Sequence, residues 1–333
     1  MVFPSRTEIV TAMSNPKCYK VNELLGGNII RKGSRIVQYA GGYTTVFPFI
    51  NSLGDKVAVR CWCADIGDTK KRSSKIAEYL NKEQSLHFVK FKYVDDAILI
   101  KNKLHPIVVM DWVEGKPLKE YINENLNSNT IFQLADKFKL MVEELHKKNI
   151  AHGDLQHGNI LVKTDGSLVL VDYDSMYIEE LKGMADIIKG LPGYQHPART
   201  KNKFVNSKLD YFSELIIYLS LLIFAEEPHL WKNCYKTEDL LFSKEDFADI
   251  KNSYIYKTYH CASNNTIISN LMQKLEESLR KTDIQQLFSL KDLLVDKLEK
   301  IRDGIIKKMD SQPNPPQKKE YSLPDIKPII DKF

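Results

Sequence analysis

Asp154, Asn159 and Asp172 are the residues of this 333-residue chain whose types and spacing most invite a chemical role. They fall in the segment IAHGDLQHGNILVKTDGSLVLVDYDS, Ile150 to Ser175. It reads as a polar loop from His152 to Asn159, a strand Ile160 to Val162, a Thr164-Asp165-Gly166 turn, and a second strand Leu168 to Val171 running into Asp172. A hairpin of this kind presents the three side chains from adjacent loops on one edge. Two carboxylates and a carboxamide gathered there make a hard-oxygen site suited to Mg²⁺, which takes carboxylates together with substrate phosphates. Asp and Asn in loops also serve turns and caps. The Asn at its fixed offset and the second Asp behind an apolar strand favour chemistry over that reading.

Elements upstream and downstream must position this edge. Short β-branched and aromatic runs crowd the first third: Ile36 to Tyr39, Thr44 to Ile50, Lys56 to Cys61, Phe88 to Val94, Ala97 to Ile100 and Pro106 to Met110. Turn residues such as Asn51 to Asp55 separate them, and they predict a small antiparallel sheet with one helix, about Thr69 to Asn81, after its third strand. From about residue 117 the period becomes helical. Ser128 opens a segment with Ile131, Leu134, Ala135, Phe138, Met141, Val142 and Leu145 on one face. Asp210 to Ala225 is apolar nearly all round, the mark of a helix buried inside a lobe. Further amphipathic runs pass through Ile267, Leu271, Leu275 and Leu279, and through Leu290, Leu294, Leu298, Ile301 and Ile305. The prolines from Pro313 to Pro328 make residues 311–333 a tail.

Several of these pieces, in this order, carry a resemblance. H-G-D-L-x-x-x-N followed by a strand and D-Y-D resembles the catalytic loop and metal-binding Asp of protein kinases, Val57-Ala58-Val59-Arg60 resembles their V-A-I-K strand, and Val109 to Gly115 resembles their hinge. The likeness covers about residues 17 to 300. More narrowly, AVRCW, AHGDLQHGNIL, DYDSMY, YQHPAR and DYFSELIIYLSL look like bacterial eukaryotic-like serine/threonine kinases of the YegI type. The resemblance implies an α+β, bilobal fold: an extension over 1–35, a sheet-based N-lobe over 36–113, and a helical C-lobe over 114–310. It implies ATP in the cleft, with Gly41, Gly42, Val46 and Ala58 around it, Met110 as gatekeeper, and adenine against the backbone near Asp111 and Val113. Asp154 would take or orient the proton of an attacking hydroxyl, and Asn159 and Asp172 would hold Mg²⁺ on the phosphates.

Departures from the family pattern are equally specific. The lysine of the third strand is Arg60 here, planar and suited to bidentate contacts rather than to a point charge. Its expected helix partner is Glu78, with Glu83 second. In YAGGYTTVF only Gly41 falls on the glycine pattern, with Gly42 beside it, which also suits an ordinary hairpin turn. Gly153 stands where many kinases carry the arginine that receives an activation-segment phosphate, so control by loop phosphorylation is not expected. Gln156 replaces a lysine two residues past Asp154. His157 is read as a hydrogen-bonding loop residue ahead of a replacement charge.

Composition narrows the field. A formal charge of +5, from 48 basic against 43 acidic residues, is spread along the chain and gives no concentrated field for nucleic acid. The longest apolar run, Leu215 to Ala225, falls well short of the ~20 residues of a membrane span, and the first residues lack a signal-peptide pattern. Cys18, Cys61, Cys63, Cys234 and Cys261 form no CxxC pair, which fits a reduced, cytoplasmic setting. The expected activity is ATP- and Mg²⁺-dependent phosphoryl transfer to serine or threonine hydroxyls of a protein substrate. Two alternatives stand beside it. A pseudokinase or nucleotide-binding regulator is favoured by Arg60 and the eroded glycine loop, and a small-molecule phosphotransferase of the aminoglycoside or choline kinase type by HGDLxxxN.

Overall fold

The computed structural model describes residues 3–83, 85–260 and 265–294. The amphipathic run beyond 294, the proline-rich stretch 311–333 and Cys261 lie outside them.

The N-terminal part is a six-stranded antiparallel sheet. Its strands are β1 (Asn28–Ile29), β2 (Tyr39–Ala40), β3 (Thr44–Ile50), β4 (Lys56–Trp62), β5 (Phe91–Ile100) and β6 (Lys103–Asp111). They run in the order β1-β3-β4-β6-β5, with β2 paired to β3. Register aligns Val46 with Arg60, Arg60 with Val108, and Ala58 with Met110. Because side chains alternate along a strand, Val46, Ala58, Arg60 and Met110 share the face turned to the cleft. Val57, Val59 and Cys61 point the other way. They pack with Phe47, Phe49, Ile98, Ile100 and Ile107.

That second face is covered by α1 (Arg6–Met13), whose Ile9, Ala12 and Met13 are buried in the same core together with Tyr19 and Leu24. Residues within 3–35 therefore contribute packing to the sheet. A capping box between Ser5 and Glu8 starts the helix, the Ser5 hydroxyl accepting from the Glu8 amide while the Glu8 carboxylate accepts from the Ser5 amide. β4 is buried along nearly its whole length, Arg60 included.

Where the sequence suggests two strands, Phe88 to Val94 and Ala97 to Ile100, there is one. β5 continues across an irregularity between Val94 and Ile98, and Asp96 takes a left-handed φ of 51° there. Lys101 and Asn102, at φ 47° and 61°, close the hairpin to β6 as the two-residue turn such a hairpin prefers.

α2 (Thr69–Lys82) belongs to the N-terminal part and lies against β5. The C-terminal part is helical: α3 is Leu118–Glu124, and α4 (Ser128–Lys147) buries all seven apolar residues expected on its face. α5 (Tyr211–Glu226) is buried from Phe212 through Ala225, and α6 (Thr266–Leu279) packs on it. α6 buries Leu271 and Leu275 as expected, with Ile268 and Met272 beside them, while Ile267 stays outside. Between the two parts lie β7 (Gly115–Pro117), β8 (Ile160–Lys163) and β9 (Leu168–Leu170), in the order β9-β8-β7. The β8–β9 hairpin is the one expected beneath Asp172. Among the described residues no helix is long and apolar enough to cross a membrane.

Candidate active site

Two spaces meet in the cleft. The first, about 320 Å³, is apolar and lies between the sheet and β8; Val46, Ala58, Met110, Val113 and Leu161 are among its walls. Its outer rim is aromatic, Tyr39 lying 6.3 Å from the Trp112 ring and Lys56 standing 4.3 Å over that ring. The second is more polar than the first and is bordered by Gly41, Gly42, Asp154, Gln156, Asp174 and residues 188–191. Arg60 and Asp172 line both spaces. A flat apolar group in the first would hold its anionic continuation against Arg60 and the carboxylates.

The loop that carries Asp154 is held from below by Asp210, the residue preceding α5. Its carboxylate accepts the amides of His152 and of Gly153, the latter at 2.8 Å. His152 is fully buried and bonds through Nε2 to the Val171 carbonyl at 2.9 Å, joining the loop to the strand that delivers Asp172. Gly153 has φ +80°, and a Cβ there would lie 2.1 Å from the Ser175 carbonyl oxygen. This loop path excludes an arginine at that position, a steric reason for the departure seen in the sequence.

Asp154, Asn159 and Asp172 do converge. The Asn159 Nδ2 donates to the Asp154 carbonyl at 2.9 Å and to its Oδ2 at 3.1 Å, while Oδ1 of Asp154 accepts the Leu191 amide at 3.2 Å. Burial, with the neighbouring Asp172 charge adding to it, raises the Asp154 pKa to about 6. Asp172 takes a left-handed φ of 69° and its side chain keeps 45% of its exposure. Burial works against its charge, but the Arg60 guanidinium outweighs that and holds its pKa below the usual carboxylate range.

Arg60 is 2% exposed. Its Nη2 donates to Asp172 Oδ1 at 2.7 Å and to Asp174 Oδ2 at 2.5 Å. Nε and Nη1, equally buried, have no hydrogen-bond partner. A buried donor left unpaired costs roughly 1–3 kcal/mol, and Arg60 carries two of them where the two spaces meet. Asp174 itself is buried, which pushes its pKa up to about 6 against the pull of Arg60.

Glu78 is not the partner of Arg60. It is more than half exposed and bonds Lys75 at 2.8 Å, because α2 turns Arg72, Ile76, Ala77 and Leu80 inward and Glu78 falls on the outer face. Glu83 bonds Lys148. Asp174 and Arg72 went unremarked in the sequence, although the third position of D-Y-D already offered a second carboxylate beside Asp172. Gly41 and Gly42 form the turn between β2 and β3, closed by the Gly41 amide on the Thr44 carbonyl at 2.9 Å. His157 bonds the Tyr194 hydroxyl at 2.5 Å and is pushed down to about 4 by burial, so it is neutral near neutral pH and no substitute for a lysine. Gln156 turns its Oε1 to the Gly158 amide at 2.7 Å.

A family model described as the protein kinase domain matches residues 40–298. The chain belongs to the protein kinase family. Among characterised relatives, this kinase domain is 26% identical over 204 residues to the serine/threonine-protein kinase CLA4 of Candida albicans. It is likewise 26% identical over 214 residues to the serine/threonine-protein kinase STE20 of Saccharomyces cerevisiae. These alignments cover 59% and 63% of the chain but only 20% and 22% of the relatives, so the chain spans about a fifth of the length of the curated relatives it matches. The sheet with its single helix α2 is the N-lobe of the kinase domain, and the part built on α4 and α5 is its C-lobe. α1 lies before the matched region, so the cover it places on the outer face of the N-lobe sheet comes from outside the family segment.

Proposed function

We propose that this kinase domain transfers the γ-phosphoryl group of ATP to serine or threonine hydroxyls of a protein. The observation that carries the reading is the pair of unpartnered, buried Arg60 donors between an apolar chamber and the Asp154–Asp172 edge. Adenine fits against Ala58, Met110 and the backbone of Val113, since the Asp111 amide is already bonded to the Lys90 carbonyl at 3.2 Å. The phosphates then extend under the Gly41-Gly42 turn to Arg60.

The hydroxyl oxygen attacks the γ-phosphorus, the bond to the bridging oxygen breaks with its electron pair leaving on ADP, and the hydroxyl proton passes to Asp154. The exposed Asp172 carboxylate and the Asn159 carboxamide oxygen, turned away from Asp154 by the Nδ2 bonds, are donors of the kind Mg²⁺ takes when phosphates complete its shell. Bound there, Mg²⁺ would neutralise phosphate charge.

A second reading has its own support. Arg60 in place of the strand lysine and a turn in which only Gly41 falls on the glycine pattern favour a nucleotide-binding regulator without turnover. The narrower likeness to bacterial kinases of the YegI type is supported by the quoted sequence pieces alone; the two relatives described above are fungal.

The test is incubation of the pure chain with γ-labelled ATP, Mg²⁺ and a general protein acceptor, beside Asp154→Ala. Turnover should fall about 10²–10⁴-fold in the variant with ATP affinity nearly unchanged. Nucleotide binding without labelling by the parent chain would establish the regulator instead.

A further inference from the structure

A buried guanidinium needs a carboxylate that stays with it through the reaction, and helix α2 has none to give. Glu78 is the single acidic residue of α2 and faces away, bonded to Lys75. The inward residue on that helix is a cation. Arg72 is 2% exposed, its Nη2 donates to the Ala185 carbonyl at 2.8 Å, and among the charges acting on it Asp174 is the foremost.

The two carboxylates on Arg60 are also unequal. Asp172 is the exposed one and faces the phosphate space, so its charge is shared as soon as a metal ion binds there. Asp174 is buried, 2.5 Å from Nη2, and lies within the electrostatic influence of both Arg60 and Arg72.

We propose that Asp174 is the positioning residue for Arg60, holding its guanidinium toward the phosphates from the C-lobe side of the cleft in place of a carboxylate on α2. This rests on the reading of Arg60 as a phosphate ligand. Asp174 anchors Nη2 and leaves Nε and Nη1 for phosphate oxygens. Without it Arg60 would lean on Asp172 alone and compete with the metal for that carboxylate.

The experiment uses the full chain and measures Mg-ATP affinity, KM and kcat separately, and the Mg²⁺ concentration for half-maximal binding, with thermal unfolding run on each variant. Asp174→Asn should weaken Mg-ATP at least about tenfold and raise the Mg²⁺ requirement, more through KM than kcat. Asp174→Glu should recover part of the loss. In an Arg60→Ala background, Asp174→Asn should add almost nothing, because the two residues act as one unit. Glu78→Gln should leave every quantity unchanged.

Additive losses in the double variant overturn the proposal, as does a tenfold loss in Glu78→Gln. If Asp174→Asn does not fold, Asp174→Glu and Glu78→Gln decide: weakened binding in the first with none in the second supports it, and the reverse overturns it. Unchanged nucleotide binding in Arg60→Ala removes the phosphate role itself and this inference with it, a result distinct from additivity.

Discussion

Arg199 and Arg60 are 1% and 2% exposed, and each is bonded to carboxylates, yet their donors are disposed in opposite ways. Arg199 places Nε and Nη2 on Asp186 at 3.4 and 3.1 Å, Nη1 on Gln195 at 2.5 Å, and Nη2 also on the Ile188 carbonyl at 3.2 Å. Asp186 in turn accepts from Lys189 and Asn202. That cluster is closed, every guanidinium nitrogen being bonded, and it pins residues 186–202 in the C-lobe with no phosphate group involved. Arg60 keeps one nitrogen on two carboxylates and leaves the other two open toward the cleft. A closed buried ion pair fixes a segment; an open one in a cavity is ready for a ligand. Gly190 lies between the two. A Cβ at this position would come within 2.6 Å of Asp154 Oδ1 and 2.8 Å of Gln195 Nε2.

The largest effect that separates the clusters is expected from Arg199→Met, which leaves Asp186 buried without its main counter-ion. It should cost roughly 3–5 kcal/mol of stability in urea unfolding, while Arg60→Met costs less because it also removes two buried donors that have no partner, Nε and Nη1. Equal losses would erase the distinction between closed and open pairs.

Gly190→Ala strikes the catalytic loop at Asp154 and the closed cluster at Gln195 at once, since its φ of +76° is left-handed and a methyl group there would displace both side chains. A strained backbone of this kind costs about 1–3 kcal/mol, and turnover should fall with it as Asp154 is displaced. Parent-like melting and activity would show that position 190 does not couple Asp154 to the closed cluster.

On the open side, Asp172→Asn should weaken Mg-ATP binding about tenfold or more, about 1.4 kcal/mol, and metal-free ATP much less. Calorimetric titration with and without Mg²⁺ reads the difference; equal loss in both would remove Asp172 from the metal site. The smallest effect is expected from Arg60→Lys, which keeps charge but not the planar fork. Its KM for ATP should rise only severalfold, between parent and Arg60→Ala, and a value matching Arg60→Ala would make the guanidinium geometry decisive.

Much of the site was legible because chain order alone assembles it. Asp154, Asn159 and Asp172 stand on one hairpin and its entry loop, so short-range turn chemistry brings them to a common edge. Arg60 could be placed on the cleft face from strand alternation with Ala58. The buried face of α4 followed from a 3.6-residue period carried through five turns. α1 left a weaker trace: its eight residues are too few for a period, and the Ser5-x-x-Glu8 capping box was the available sign.

The ionic partners followed another logic. Glu78 stood at a suitable distance along the chain from Arg60, but spacing carries no information about the phase of a helix relative to a sheet it packs against. Only the packing of Ile76, Ala77 and Leu80 turns Glu78 outward and Arg72 inward.

The amino-acid sequence by itself determined the kinase fold, the hairpin that bears the three polar residues and the cation on β4, because each depends on local propensity and periodic burial. Tertiary structure alone decided that Asp174 rather than Glu78 meets Arg60, that Arg199 closes on Asp186, and that two guanidinium donors stay open. Ion pairing follows distance through space, and residues 112 to 114 positions apart, like Arg60 and its two carboxylates, come within reach only once both lobes have packed.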